Sequence, residues 1–269
     1  MTPPGSVLGT VADPNAWRLA RVRSVTPETA RAATIRFEVP GWPGHLAGQR
    51  IDVRLTAEDG YSTTRAYSMS APWAGAGVVD TQAAGLGSPA TVDITVEALE
   101  NGEVSPYLTG EVRPGDELEL RGPIGGAFTW SPGDGGPLLL VAGGSGLVPL
   151  MAMVRAHAAQ PAIETDVSII LSARTADDIL FREELVGLAE AGTIAFHPTL
   201  TRDAPTGWSG GRGRLEAAVV GAHGPRPQDQ PRIFVCGSNA FVETAVGALF
   251  SVGHDARAIR TERFGVAAG

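Results

Sequence analysis

Four groups of residues have types and spacing suited to chemistry. Arg65-Ala66-Tyr67-Ser68 offers a guanidinium that can neutralise a pyrophosphate, a phenol that can lie against an aromatic ring system, and a hydroxyl that can bond a ring nitrogen. The same four residues also fit a plain strand with alternating faces. Gly143-Gly144-Ser145-Gly146 closes the apolar run Leu138 to Ala142 and precedes a helical stretch. Such a turn presents backbone N–H groups and a helix dipole to a pyrophosphate with no side chain in the way. It serves equally as a packing turn, because it is not the full dinucleotide fingerprint. Cys236-Gly237-Ser238 ends a further apolar run at the edge where ligands of open α/β sheets lie, although a lone cysteine there is more often a small buried hydrophobe. Arg174 and Arg202 follow two more apolar runs, where the ribose end of a dinucleotide rests. Arginine suits a 2′-phosphate through bidentate charge-assisted bonds, which favours NADPH, though Asp177, Asp178 and Asp203 stand close by.

Two kinds of element must position these groups. From Arg18 to about Trp130 the rhythm is β: Arg18–Arg23, Ala33–Val39, Gln49–Leu55, Val92–Ala98 and Glu117–Leu120 alternate or nearly do. Turn pairs such as Asp59-Gly60, Asn101-Gly102 and Pro114-Gly115 separate them, and 74–89 reads as a loose Gly/Ala-rich loop. Closely spaced strands with little helix predict a small antiparallel barrel over 15–132. After the linker-like Ser131 to Pro137 the rhythm changes. Strands at Leu138–Ala142, Val167–Leu171, Thr193–Leu200, Ile233–Cys236 and Ala258–Arg263 alternate with helices at Val148–Ala159, Ile179–Glu190, Leu215–Val220 and Ala240–Val252. That order predicts a doubly wound parallel sheet with helices on both faces over 137–269.

Composition narrows the chemistry. The chain has 269 residues and a single cysteine, Cys236, so it lacks the four cysteine ligands of an ordinary iron–sulfur cluster and is expected to hold no metal. The formal charge of −8, with every basic residue an arginine, argues against nucleic-acid binding. No apolar run reaches the roughly eighteen residues of a membrane span, and no basic-then-apolar leader opens the chain, so a cytoplasmic protein is expected.

Taken in order, Arg65-x-Tyr67-Ser68, Gly102-x-x-Ser105, Pro114-Gly115-Asp116, Gly122-Pro123-Ile124-Gly125, Gly143-Gly-Ser-Gly-x-x-Pro149, Cys236-Gly-Ser and Glu262-Arg-Phe264 resemble the ferredoxin–NADP reductase superfamily. The resemblance runs from about Trp17 to Phe264. It implies a Greek-key β-barrel that binds FAD, followed by a Rossmann-like domain that binds NADPH or NADH. Carried over by position, it sets Arg65 at the flavin phosphate, Tyr67 at the ribityl–isoalloxazine region and Ser68 at flavin N5. It sets Gly102, Val104 and Ser105 at the FAD pyrophosphate, Gly143 to Gly146 at the nicotinamide nucleotide, and Cys236 and Gly237 beside the nicotinamide. Phe264 is similar to the C-terminal aromatic that covers the flavin ring, although five residues follow it here. The implied activity is hydride transfer from NAD(P)H to FAD, then single-electron delivery to a separate ferredoxin or oxygenase component. A flavin reductase that releases reduced flavin is the alternative, and a non-catalytic electron-transfer or redox-sensing subunit is the third reading.

Overall fold

The computed structural model describes residues 13–57, 59–73 and 90–264. The loop expected at 74–89 lies outside these residues, as does the stretch after Phe264. Six strands build the first half: β1 (Arg18–Thr29), β2 (Ala32–Val39), β3 (Arg50–Thr56), β4 (Ser62–Ser68), β5 (Ala90–Glu97) and β6 (Glu117–Ile124). They pair antiparallel in the order β4-β3-β6-β1-β2-β5. The return of β6 between β1 and β3 is the Greek-key crossing. Met69 bridges Ile94, and the Ser70 N–H donates to the Asp93 carbonyl at 2.9 Å, so the two ends of the sheet meet and a barrel closes. Alternation fills it with Ile35, Phe37, Ile51, Val53, Val92 and Ile94, all fully buried. The strand pattern did not announce α1 (Val104–Gly110), which sinks Val104 and Leu108 into the barrel core. Seven residues are too few for helical periodicity to stand out of a β-rich stretch.

The second half is a parallel sheet of β7 (Leu138–Gly143), β8 (Val167–Ala173), β9 (Ala195–Leu200), β10 (Gly211–Arg212), β11 (Arg232–Ser238) and β12 (Ile259–Phe264), in the order β10-β9-β8-β7-β11-β12. Leu138, Leu140, Ala142, Phe234 and Cys236 turn to the face covered by α2 (Leu147–Ala158) and α3 (Arg182–Glu190). Leu139, Val141, Ile233 and Val235 turn to α4 (Ala217–His223) and α5 (Asn239–Ser251) on the other face. Two details differ from the sequence-based expectation. The two-residue β10 is an addition, and α3 begins three residues later than Ile179. Ile179, Leu180 and Phe181 are instead all buried, with Phe181 in the left-handed region at φ 54°, because the core takes three consecutive apolar side chains that a helix would distribute around its axis.

The two halves share a core. Ala32, Ala47, Phe128 and Trp130 of the first half pack in the same cluster as α2 and β7, and the Phe128 ring meets Phe234 edge-on at 5.2 Å. Arg155 of α2 donates to the Ser70 carbonyl at 2.7 Å while gripping both carboxylate oxygens of Glu184 at 2.9 and 2.6 Å. The connecting segment is tied as well, since Arg232 Nη2 donates to the Asp134 carbonyl at 2.7 Å. Among the described residues no helix is long and apolar enough to cross a membrane.

Candidate active site

The sheet order places a fork between β7 and β11. From β7 the chain turns into α2 on one face, and from β11 it turns into α5 on the other. Open α/β sheets bind ligands at the carboxyl ends of strands where connections diverge in this way. Gly143 to Gly146 and Cys236 to Ser238 line that fork together. Its glycines have different reasons. A Cβ at Gly146 would collide with the Cys236 carbonyl oxygen, and one at Gly143 or at Gly237 would sit 2.5 Å from the Phe241 ring. Gly144 alone has nothing within 4 Å of where a Cβ would be; it is exposed with φ +54° and opens a short 3₁₀ turn with Ser145. Close packing therefore explains Gly143 and Gly146, and the backbone free to meet a ligand belongs to Gly144 and Ser145.

On the barrel, β4 stands at one end of the hydrogen-bonded strand order. Tyr67 and Arg65 lie opposite Ile51 and Val53 of β3 on one face of the sheet, Tyr67 half-buried and Arg65 exposed. Tyr67 packs against the core, and burial pushes its phenol up to about 12, so it stays protonated. Arg65 is exposed; it donates to Thr63 Oγ1 and the Thr64 carbonyl, both at 2.9 Å, and among the described residues no carboxylate pairs with it. Ser68, on the opposite face of β4, stands directly across from Arg50. Val104 points into the core and Ser105 Oγ accepts from the Leu99 N–H at 3.1 Å, so these two offer a ligand chiefly their backbone. Gly102 sits beside them, where a Cβ would come 2.8 Å from that same Oγ.

Arg50 joins the two halves. Its Nη1 is 3.6 Å from Glu262 Oε1 on β12. Glu262 pairs in register with Cys236 on β11, so their side chains share the face that looks toward the barrel. Ser68, Arg50, Glu262 and Cys236 thus follow one another across the cleft. Burial raises the Glu262 carboxyl above its ordinary range despite Arg50, and its Oε2 is buried with no partner. Burial, and then the neighbouring Glu262, raise the Cys236 thiol, which is 1% exposed and stays protonated. Phe264 lies on the same face of β12 two residues beyond Glu262, with its ring half exposed. Arg174 and Arg202 leave the ends of the adjacent strands β8 and β9, tied by an Arg202 N–H bond to the Arg174 carbonyl at 2.9 Å. Both are exposed, and the nearby Asp178 is engaged in capping Thr175. Arg50, Glu262 and Phe241 were given no role from sequence. Arg50 and Glu262 are 212 positions apart, and only the strand pairings and the domain contact bring them together.

Comparison with known proteins agrees with the two-part architecture. Residues 18–130 match the oxidoreductase FAD-binding domain and residues 140–247 the oxidoreductase NAD-binding domain. Ferredoxin–NADP reductase B of Sorangium cellulosum is 34% identical over 244 residues, covering 86% of this chain and 89% of that protein. The chain belongs to the ferredoxin–NADP reductase superfamily. NADH-cytochrome b5 reductase 1 of Mycosarcoma maydis is 27% identical over 249 residues, 91% of this chain and 72% of that protein. The crystal structure of a ferredoxin NADP+ reductase from Neisseria gonorrhoeae with bound FAD and NADP superposes with a TM-score of 0.72 at 20% identity, covering 92% of this chain and 98% of that one. As a family member the chain is an NAD(P)H-dependent flavin oxidoreductase, with FAD on the barrel and the nicotinamide nucleotide on the parallel sheet.

The residues present suit both groups. An exposed arginine with no acidic partner among the described residues, beside a half-buried phenol, fits a phosphorylated aromatic cofactor along β4. An open glycine backbone at the end of β7 fits a second pyrophosphate. Among the described residues no cluster of three or more His, Cys, Asp or Glu side chains is placed to hold a metal ion.

Proposed function

We propose that this reductase draws electrons from NADPH at the β7–β11 fork and hands them singly from the barrel to a separate acceptor protein, a ferredoxin or an oxygenase component. FAD, when bound, supplies the chemistry of accepting a hydride and releasing electrons one at a time. The chain's own contribution is placement. Arg65 and the backbone of Gly102, Val104 and Ser105 would hold the cofactor phosphates, Tyr67 would lie against the ring region, and the Ser68 hydroxyl would donate toward flavin N5. Gly144 and Ser145 would take the nucleotide pyrophosphate by backbone N–H groups. Cys236 and Gly237 would border the nicotinamide, with the thiol a neutral neighbour and not a nucleophile. Phe264 would cover the flavin ring from β12.

The observation that supports this reading is the run Ser68, Arg50, Glu262, Cys236, in which two strand pairings and one ion pair between the halves lead from the end of β4 to the fork. Arg174 and Arg202, exposed at the ends of neighbouring strands and in no ion pair among the described residues, support NADPH as the donor through contacts to a 2′-phosphate. Anaerobic stopped-flow mixing of the FAD-loaded protein with NADPH and NADH in parallel tests it. NADPH should reduce the flavin faster, and Arg174→Ala should remove about 1.5 kcal/mol of that preference, roughly tenfold. Reduction by neither nucleotide would overturn the reading. Loss of flavin on gel filtration, with free reduced flavin as product, would replace the acceptor protein by flavin itself.

A further inference from the structure

Phe241 occupies the fork. It lies in the first turn of α5, which is capped by Ser238 Oγ accepting from the Phe241 N–H at 3.3 Å. Its ring rests on the α-carbons of Gly143 and Gly237, so that a methyl group on either would fall 2.5 Å from ring carbons. Both glycines stand at alternation positions facing α4 and α5, since Ala142 and Cys236, one residue earlier on each strand, face α2. The ring therefore covers the last residue of β7 and the corresponding stretch of β11 from the α5 side. The side chains proposed to border the nicotinamide and the flavin are on the other side: Cys236 and Phe264, with Glu262 between them in register, face the barrel and Arg50.

We infer that Phe241 is the back wall of the nicotinamide subsite, a positioning residue that shuts the fork on its α5 side and confines the nicotinamide half to the side facing the flavin. This deepens the proposed function and rests on it. A crevice at a topological switch point is open to both faces of the sheet unless something fills one of them. Here a half-buried aromatic ring fills it, and glycine at 143 and 237 is what allows the ring to lie so close. The two glycines and the phenylalanine are thus one device, and the glycine positions serve the nucleotide indirectly, by admitting the wall.

The test compares wild type with Phe241→Ala and Phe241→Leu, each FAD-loaded. NADP+ affinity is measured by calorimetry, and flavin reduction by single-turnover stopped flow at saturating NADPH. Phe241→Ala should leave NADP+ affinity within about threefold while slowing reduction roughly tenfold or more, because misplacement by a fraction of an ångström costs rate more than binding. Phe241→Leu, which refills most of the fork, should recover most of the rate. A rate within about twofold of wild type in the alanine variant, or a loss explained wholly by weaker nucleotide binding, overturns the wall. Should the alanine variant not fold, Phe241→Val carries the same comparison, with a melting curve to show that it is folded. Failure of the parent reading is seen separately, as wild-type flavin that neither nucleotide reduces.

Discussion

Ser68 is a half-buried hydroxyl at the end of β4, and its use depends on direction more than on strength. One hydrogen bond in such a site contributes about 1–1.5 kcal/mol. Ser68→Ala should therefore slow flavin reduction roughly tenfold with FAD still bound, since Arg65 and Tyr67 remain. Unchanged single-turnover kinetics would remove Ser68 from the mechanism. Glu262 has a different signature. Burial holds its folded-state pKa above the unfolded value, so the native protein binds the proton more tightly than the unfolded chain does. Stability then falls as pH rises from the ordinary carboxylate range through the raised folded value, above which the penalty is complete. Glu262→Gln should raise the melting temperature at pH 7, and the gain should vanish as pH drops below the carboxylate range. A gain that persists in acid would show that charge burial is not its cause. The half-exposed Arg50 loses little when its partner becomes neutral.

At the scale of elements, the strand-to-helix turn after β7 separates packing from binding. Gly146→Ala drives a methyl group into the Cys236 carbonyl, where backbone meets backbone and neither can yield, and should cost about 3 kcal/mol or more. Gly144→Ala meets open space and carries only the left-handed penalty of about 1–2 kcal/mol. Urea titration should rank them in that order, and equal losses would mean that the fork is looser than its geometry. Both glycines were visible in the sequence as one motif, but which of them binds and which packs was not, because the answer lies in β11. The strands were legible wherever one face is buried, for alternation records burial directly. Helix α1 was not, since Val104 and Leu108 form a single helical pair within a β-rich run. The start of α3 was missed for the opposite reason: Ile179 to Phe181 are apolar in any reading, and only the core they fill makes them non-helical.

For the whole molecule, the placement of the barrel against the sheet is what makes one site from two. Arg155 is the clearest strut, reaching from α2 to the Ser70 carbonyl just beyond β4, with Glu184 and the Phe181 face fixing its guanidinium. Arg155→Ala should lower stability by about 1.5 kcal/mol, tempered by the exposure of Glu184, and should slow flavin reduction as well. Chemical denaturation and single-turnover kinetics on the same variant check this. A stability loss with an unchanged rate would mean that the strut does not hold the redox geometry.

The sequence by itself determined the two rhythms, the order of the short motifs and, through the single cysteine, the lack of ligands for an iron–sulfur cluster. These are local properties: alternation, turn chemistry and composition are each written within a few residues. The tertiary structure alone decided how the motifs meet. Arg50 reaches Glu262 across the two halves, Glu262 stands beside Cys236 through strand register, and one ring from α5 rests on glycines 94 positions apart. Such contacts depend on strand order and domain packing. No residue carries that information in its own neighbourhood, so it becomes readable only once the chain has folded.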